Sequence, residues 1–181
     1  MSDDFDPREL LRGNVPSLDE VELLPDTHPM LTQRMDSFDF ETDGRDAVAL
    51  RDLLIDAMAK FEGVGLSANQ IGVEARAFAI LLDGKHPVVM FNPTITDLGS
   101  ETSVIEEGCL SFPGIFLKIA RPRSCRVIYN DPEGHRRSEI VHGMNCRIVM
   151  HETDHLNGVV MTSKVSKLKL DMARKRAKKL R

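Results

Sequence analysis

The sequence reads as α+β, and three observations permit that fold. An amphipathic helical pattern comes first, two pairs of strand-like runs joined by turn compositions follow, and a second helix-forming stretch carries two histidines. At 181 residues and 41% hydrophobic content, the chain suits one compact core. No apolar run approaches the ~18 residues that would suggest a membrane span. The expected boundaries are an acidic arm over 1–20, a single main domain over 21–163 and a basic helix over 164–181.

Residues 1–20 are acid-rich with little apolar periodicity, which suits a loosely attached arm. Leu23 to Leu31 is broken by Pro25 and Pro29 and reads as extended chain and turn, with His28 at the surface. From Arg45 to Glu62, the residues Ala47, Leu50, Leu54, Ala57, Met58 and Phe61 recur at steps of three and four. That spacing predicts a helix packed on a core and ending at Gly63. In Gly63 to Gly72 (GVGLSANQIG), small residues let the backbone approach another backbone or a ligand closely. A tight connection packed under the helix would use the same residues. The spacing is not G-x-G-x-x-G and no strand precedes it, which argues against a dinucleotide site. Gln70 has chemical reach, because its amide can donate to a developing oxyanion.

Ala75 to Leu82 and Val88 to Phe91 flank Asp83-Gly84-Lys85-His86-Pro87 and predict a hairpin that ends at Asn92-Pro93. Cys125 to Tyr129 and Ser138 to Val141, around Asp131-Pro132-Glu133-Gly134, predict another, with His135 and His142 facing solvent.

The strongest chemical signal is His151-Glu152-Thr153-Asp154-His155, one full H-E-x-x-H. On a helix, the two histidines lie on one face about 6 Å apart between Cβ atoms and can bind one metal ion together. Glu152 points beside the metal and can deprotonate a water there, as a general base rather than a ligand. A third ligand is still needed. In H-E-x-x-H-x-x-G-x-x-H a histidine follows the glycine, but here Gly158 is followed by Met161 at that position. No glutamate follows Glu152, so the ligand is sought upstream. Cys109, in Glu106-Glu107-Gly108-Cys109-Leu110-Ser111-Phe112-Pro113-Gly114, is the best candidate, on what reads as a short, rigid, extended piece of chain. Cys146 would face roughly 140° and 180° away from the two histidines on the same helix. Cys125 reads as small core filler in a strand. Three cysteines without C-x-x-C make no disulfide framework and fit a reducing compartment.

With Gly63 to Gly72, Glu107 to Ser111 and His151 to Gly158 in this order, the chain closely resembles the peptide deformylases over roughly residues 21 to 175. The resemblance implies antiparallel β-sheets packed around a helix bearing His151 and His155. It implies an enzyme that removes the formyl group from N-formylmethionyl peptides and releases formate. Cys109, His151 and His155 would bind a divalent metal, usually Fe(II), with Glu152 as catalytic acid and base. Gln70 and the Leu110 N–H would receive the oxyanion. One thiolate and two imidazoles also suit Zn(II), Co(II) and Ni(II). The peptide would lie as an added strand along Gly65 and the Cys109 segment near Gly108, its methionine in an apolar pocket that Val64 and Ile148 could form. Both could equally be ordinary core. Three departures stand out. Ser67 replaces the usual alanine, a small-for-small change expected to matter little. Met150 replaces the usual glutamine, and Phe116 falls where many members carry an arginine.

Two other classes remain open: an idle metal-binding relative that binds peptides or the ribosome, against which Glu152 and Gln70 argue, and an H-E-x-x-H peptidase with a different third ligand. The start MSDDFDPREL resembles neither a signal nor a transit peptide, so a monomeric cytoplasmic enzyme is expected. The net charge of −4 hides an asymmetry. Residues 164–181 hold nine of the 24 Lys and Arg and one of the 28 acids, leaving 15 bases against 27 acids elsewhere, a net −12. Val165, Leu168, Met172 and Ala173 fall at helical steps in this tail. They predict a helix that rests this stripe on the body and turns charge outward, either to dock on ribosomal RNA or as an aid to solubility.

Overall fold

The computed structural model describes residues 15–41 and 46–179; the first fourteen residues of the expected arm, and Arg45, lie outside the described residues. Helix α1 (Ala47–Lys60) starts where Asp46 accepts hydrogen bonds from Val48 N (2.8 Å) and Ala49 N (3.2 Å). Such a cap contributes about 1 kcal/mol. The helix stops in a Schellman turn: Glu62 takes φ 55°, its N–H bonds Ala59 O, and Gly63 N bonds Met58 O. Leu50, Leu53, Leu54, Ala57 and Met58 form the buried face, as the periodicity predicts, with Leu53 added.

The strands are β1 (Gly65–Ser67), β2 (Ala77–Leu82), β3 (His86–Leu98), β4 (Thr102–Glu107), β5 (Leu117–Pro122), β6 (Ser124–Asn130) and β7 (Arg136–His142). They pair antiparallel as a five-stranded sheet, β1-β2-β3-β6-β7, and a separate β4-β5 hairpin. Both predicted hairpins are present. The first does not end at Asn92-Pro93, however, since β3 runs on to Leu98 and pairs with β6 across register shifts. Asn92 takes φ 50°, a left-handed conformation asparagine tolerates, and its amide bonds Phe38 N (2.7 Å) and Phe38 O (2.8 Å). Proline is admitted because it sits at a bulge.

Alternation along β2 explains the layering. Ala77 and Ala79 face the cluster under α1 with Leu50, Leu54 and Phe91, whereas Phe78 and Ile80 face the cluster with Met90, Val127, Cys146, Val149 and Leu156. The last three belong to α2 (Gly143–Leu156). One side of α2 therefore lies on the large sheet. Its other side meets the small hairpin, where Arg147 donates to Ile119 O (3.1 Å) and Ser103 O (2.8 Å). The expected central helix between antiparallel sheets is what the chain builds. The C-terminal end of α2 is held by the buried Arg76, which donates to Leu156 O (3.1 Å) and Asn157 Oδ1 (3.0 Å).

The tail forms α3 (Lys167–Lys179), and half of the expected stripe faces inward: Val165 and Ala173 pack on the body, Leu168 and Met172 do not. Leu168 and Met172 are 70% and 56% exposed, while Ala173 is buried and Leu170 and Ala177 pack with it on Ile115, Leu117 and Met161. Ala177 lies over Gly114, its methyl 3.5 Å from where a Cβ there would be, an ordinary van der Waals contact.

Candidate active site

Helix α2 presents His151 and His155 one turn apart, with ring centroids 5.0 Å apart. Cys109 comes to them from the far end of β4, its Sγ 3.2 Å from His155 Nε2. The ligand atoms of Cys109, His151 and His155 all lie within 4.8 Å of one another. Cys109 is not on an extended piece throughout, as the sequence suggested: the strand ends at Glu107, and Phe112 N bonds Cys109 O (2.9 Å) to close a turn. That turn lets one segment supply the Cys109 thiol and, next to it, the Leu110 N–H, for which no acceptor is found among the described residues.

Cys146 lies off the site, as the helix angle requires, and Cys125 is buried in a strand, as expected of core filler. Cys146 and Cys125 are buried together, sulfur to sulfur 3.4 Å, and burial pushes the Cys125 thiol up to about 12. Met161, at the position of the absent third histidine, is buried in the cluster under α3. His135 and His142 are exposed, as expected.

Beneath the two histidines lies a buried charge cluster centred on Glu107. Glu107 accepts from His151 Nδ1 (3.1 Å), from Arg121 Nε (2.6 Å) and Nη2 (2.9 Å), and from Arg147 Nη1. Arg121 continues to Asp154 (2.7 Å), which also pairs with Lys164 (2.9 Å). Burial would raise the Glu107 carboxyl, but these donors override it and hold it down at about 2. The glutamate thus turns His151 so that Nε2 is left for a metal.

The imidazoles have opposite electrostatics. Burial disfavours charge on both, yet Cys109 and Glu107 overcome it at His151 and raise it to about 10. Burial, with His151 and Arg121 nearby, depresses His155 to about 3. The field that holds a proton on His151 favours a cation in its place. A thiol, a neutral imidazole and an imidazole oriented through Nδ1 are the donors such a cation needs, so the residues fit a divalent metal.

Glu152 is buried, and burial pushes its carboxyl upward. One carboxylate oxygen lies against Gly65, where any Cβ would collide with it, and the other accepts from Ser67 Oγ at 2.7 Å. The Ser67 hydroxyl thus touches the glutamate of the motif. Gln70 is pinned by Ser67 N, which donates to its Oε1 (2.9 Å), and its amide donates to Ser111 Oγ (3.1 Å) and approaches Cys109 Sγ at 3.5 Å. These groups open onto a cavity of about 520 Å³, lined also by Val64, Gly65, Gly108, Met144, Ile148 and Phe116. Val64 is 55% exposed and is no core residue, whereas Ile148 is half-buried and also packs on the cluster of the large sheet. Phe116 stands over Gly108, where a Cβ would lie 2.8 Å from its ring.

The polypeptide deformylase family model matches residues 21–171. The chain belongs to that family. A peptide deformylase from Thermotoga petrophila is 41% identical over 123 residues, covering 68% of this chain and 74% of its own length. One from Rhizobium meliloti is 38% identical over 158 residues, 85% of this chain and 88% of its own. The crystal structure of the Thermotoga maritima deformylase superposes with a TM-score of 0.75 at 34% identity, covering 81% of this chain and 97% of that one. Deformylases remove N-formyl groups from nascent peptides, and this chain is such an enzyme.

Proposed function

We propose that Cys109, His151 and His155 hold one divalent metal, Fe(II) first and Zn(II), Ni(II) or Co(II) as substitutes, and that Glu152 moves the protons of deformylation. The observation carrying this reading is the convergence of three donor atoms within 4.8 Å at the wall of an open cavity, with the Glu152 carboxylate beside them. When bound, such a metal makes a water nucleophilic near neutral pH and polarises the formyl carbonyl.

The chain's own groups supply the rest. Glu152 accepts the proton of the attacking water and delivers it to the departing amine nitrogen as formate leaves; its raised proton affinity suits both halves of that task. The Leu110 N–H donates to the developing oxyanion, and Gln70 joins it by trading its weak contact with Cys109 Sγ. Losing one such donor costs roughly 10²–10³ in rate. The N-formylmethionyl peptide lies along Gly65 and Gly108, and its methionine side chain enters among Val64, Ile148 and Met144. Phe116 replaces a polar grip on the peptide backbone with an apolar wall. Formate release from formyl-Met-Ala-Ser by anaerobically purified protein, with metal analysis of the same sample, tests the assignment; metal-loaded protein that releases no formate would sink it.

The ribosome is the partner we infer for α3, whose Lys167, Lys169, Arg174, Lys175, Arg176, Lys178 and Lys179 are all exposed. An acidic body would otherwise be repelled by RNA phosphates. No described helix is long and apolar enough to cross a membrane, and a cytoplasmic site of action fits a substrate made on ribosomes.

A further inference from the structure

The catalytic assignment of Glu152 leaves open what fixes its carboxylate, and the geometry points to Ser67. We propose that the Ser67 hydroxyl is a positioning residue for Glu152: it ties down one carboxylate oxygen so that the other stays turned toward the reacting groups. This rests on the reading of Glu152 as proton carrier.

Ser67 is fully buried at the end of β1, and its Oγ lies 2.7 Å from Glu152 Oε2 and 3.2 Å from Glu152 O. A hydroxyl has a single proton, and the shorter, charge-bearing acceptor takes it. Among the described residues, no other side chain hydrogen-bonds to this carboxylate. The second oxygen, Oε1, has no room to swing toward the strand, because it already rests on Gly65. β1 therefore grips the carboxylate twice, by the absence of a side chain at Gly65 and by the presence of a hydroxyl at Ser67. An alanine at 67 would leave Oε2 buried without a donor, and an unpaired buried carboxylate oxygen drives rotation towards any partner it can find.

The side chain can be tested apart from the backbone. Ser67 N holds Gln70 through its Oε1 (2.9 Å), a main-chain contact that survives substitution. Ser67→Ala and Ser67→Cys, the latter close in volume but a weak donor, are compared with Ser67→Thr, which keeps the hydroxyl. Five quantities are measured: metal content, thermal midpoint, kcat and KM for formyl-Met-Ala-Ser, and the Glu152 side-chain orientation in a crystal structure of Ser67→Ala. Expected are unchanged metal content, KM within about twofold, kcat down roughly tenfold in the Ala and Cys variants, recovery in the Thr variant, and a rotated carboxylate. Wild-type kcat in Ser67→Ala, or a carboxylate that keeps its orientation, overturns the proposal. So does metal loss in Ser67→Ala, which would make the serine a prop of the metal helix. If wild type itself releases no formate, the assignment of Glu152 falls, and the crystal comparison alone then decides whether Ser67 holds that carboxylate.

Discussion

Glu107→Gln exposes how the metal helix is held. The substitution keeps the shape but removes the one negative charge shared by Arg121, Arg147 and His151. In the wild type, the folded state lowers this carboxyl from 4.5 to about 2. Because the folded value is the lower one, the corresponding stability is fully present above pH 4.5 and is lost as pH falls towards 2. At roughly 1.4 kcal/mol per pKa unit, the shift is worth about 3 kcal/mol at neutral pH. For a chain of this size that corresponds to roughly 6–12 °C in thermal midpoint. The wild-type advantage over Glu107→Gln should shrink by about 1.4 kcal/mol for each pH unit below 4.5, since a protonated glutamate and a glutamine bind the arginines alike. Urea unfolding at pH 7, 4.5 and 3.5 measures this. The variant should also hold metal about 10- to 100-fold more weakly in chelator competition, because His151 exchanges a charged acceptor for a neutral amide. A stability gap that stays constant with pH, or is absent at pH 7, would refute the reasoning.

Glu152→Gln should retain metal by elemental analysis and lose nearly all formate release; turnover within tenfold of wild type would remove it from the proton-carrying role. Cys109→Ala should abolish tight metal binding, whereas Cys125→Ala and Cys146→Ala should keep the metal and only soften the core, read as a lowered thermal midpoint with normal metal content. Removing residues from Arg174 onward should reduce ribosome co-sedimentation at low salt; equal sedimentation of the two forms would make the tail a solubility device. Because Ala177 packs on the body, the charge-only variant Lys175→Gln with Lys178→Gln separates lost contact from lost charge.

What could be read from the sequence was what local spacing encodes. The i, i+4 histidines, the amphipathic helix and the two turn-bounded hairpins are determined within a few residues, and each is present. Asn92-Pro93 looks like a stop, so local pattern alone ends β3 too early. Only the Phe38 backbone, 54 residues away, makes it a bulge. Arg121 and Arg147 carried no signal at all, since an arginine among surface-like neighbours is indistinguishable from one that ends up buried against Glu107. Glu107 did carry one, as an acid beside Gly108 and Cys109, but its partners come from β5 and α2.

The tail shows why hydropathy misleads at a docking surface. Val165, Leu168, Met172 and Ala173 share helical spacing, so the pattern turns all four inward. The body takes Val165 and Ala173 from that stripe but adds Leu170 and Ala177, which pack with them on Ile115, Leu117 and Met161. Leu168 and Met172 are thereby left in solvent amid lysines and arginines. An apolar pair set in a basic field is better suited to a partner that is both charged and partly apolar than to water alone, and its share of the binding should not vary with salt, because only the neutralised phosphates set the slope. Leu168→Ser with Met172→Ser should therefore weaken co-sedimentation by a similar factor at every salt concentration and leave the slope unchanged, and unaltered co-sedimentation would show that only the charges make contact.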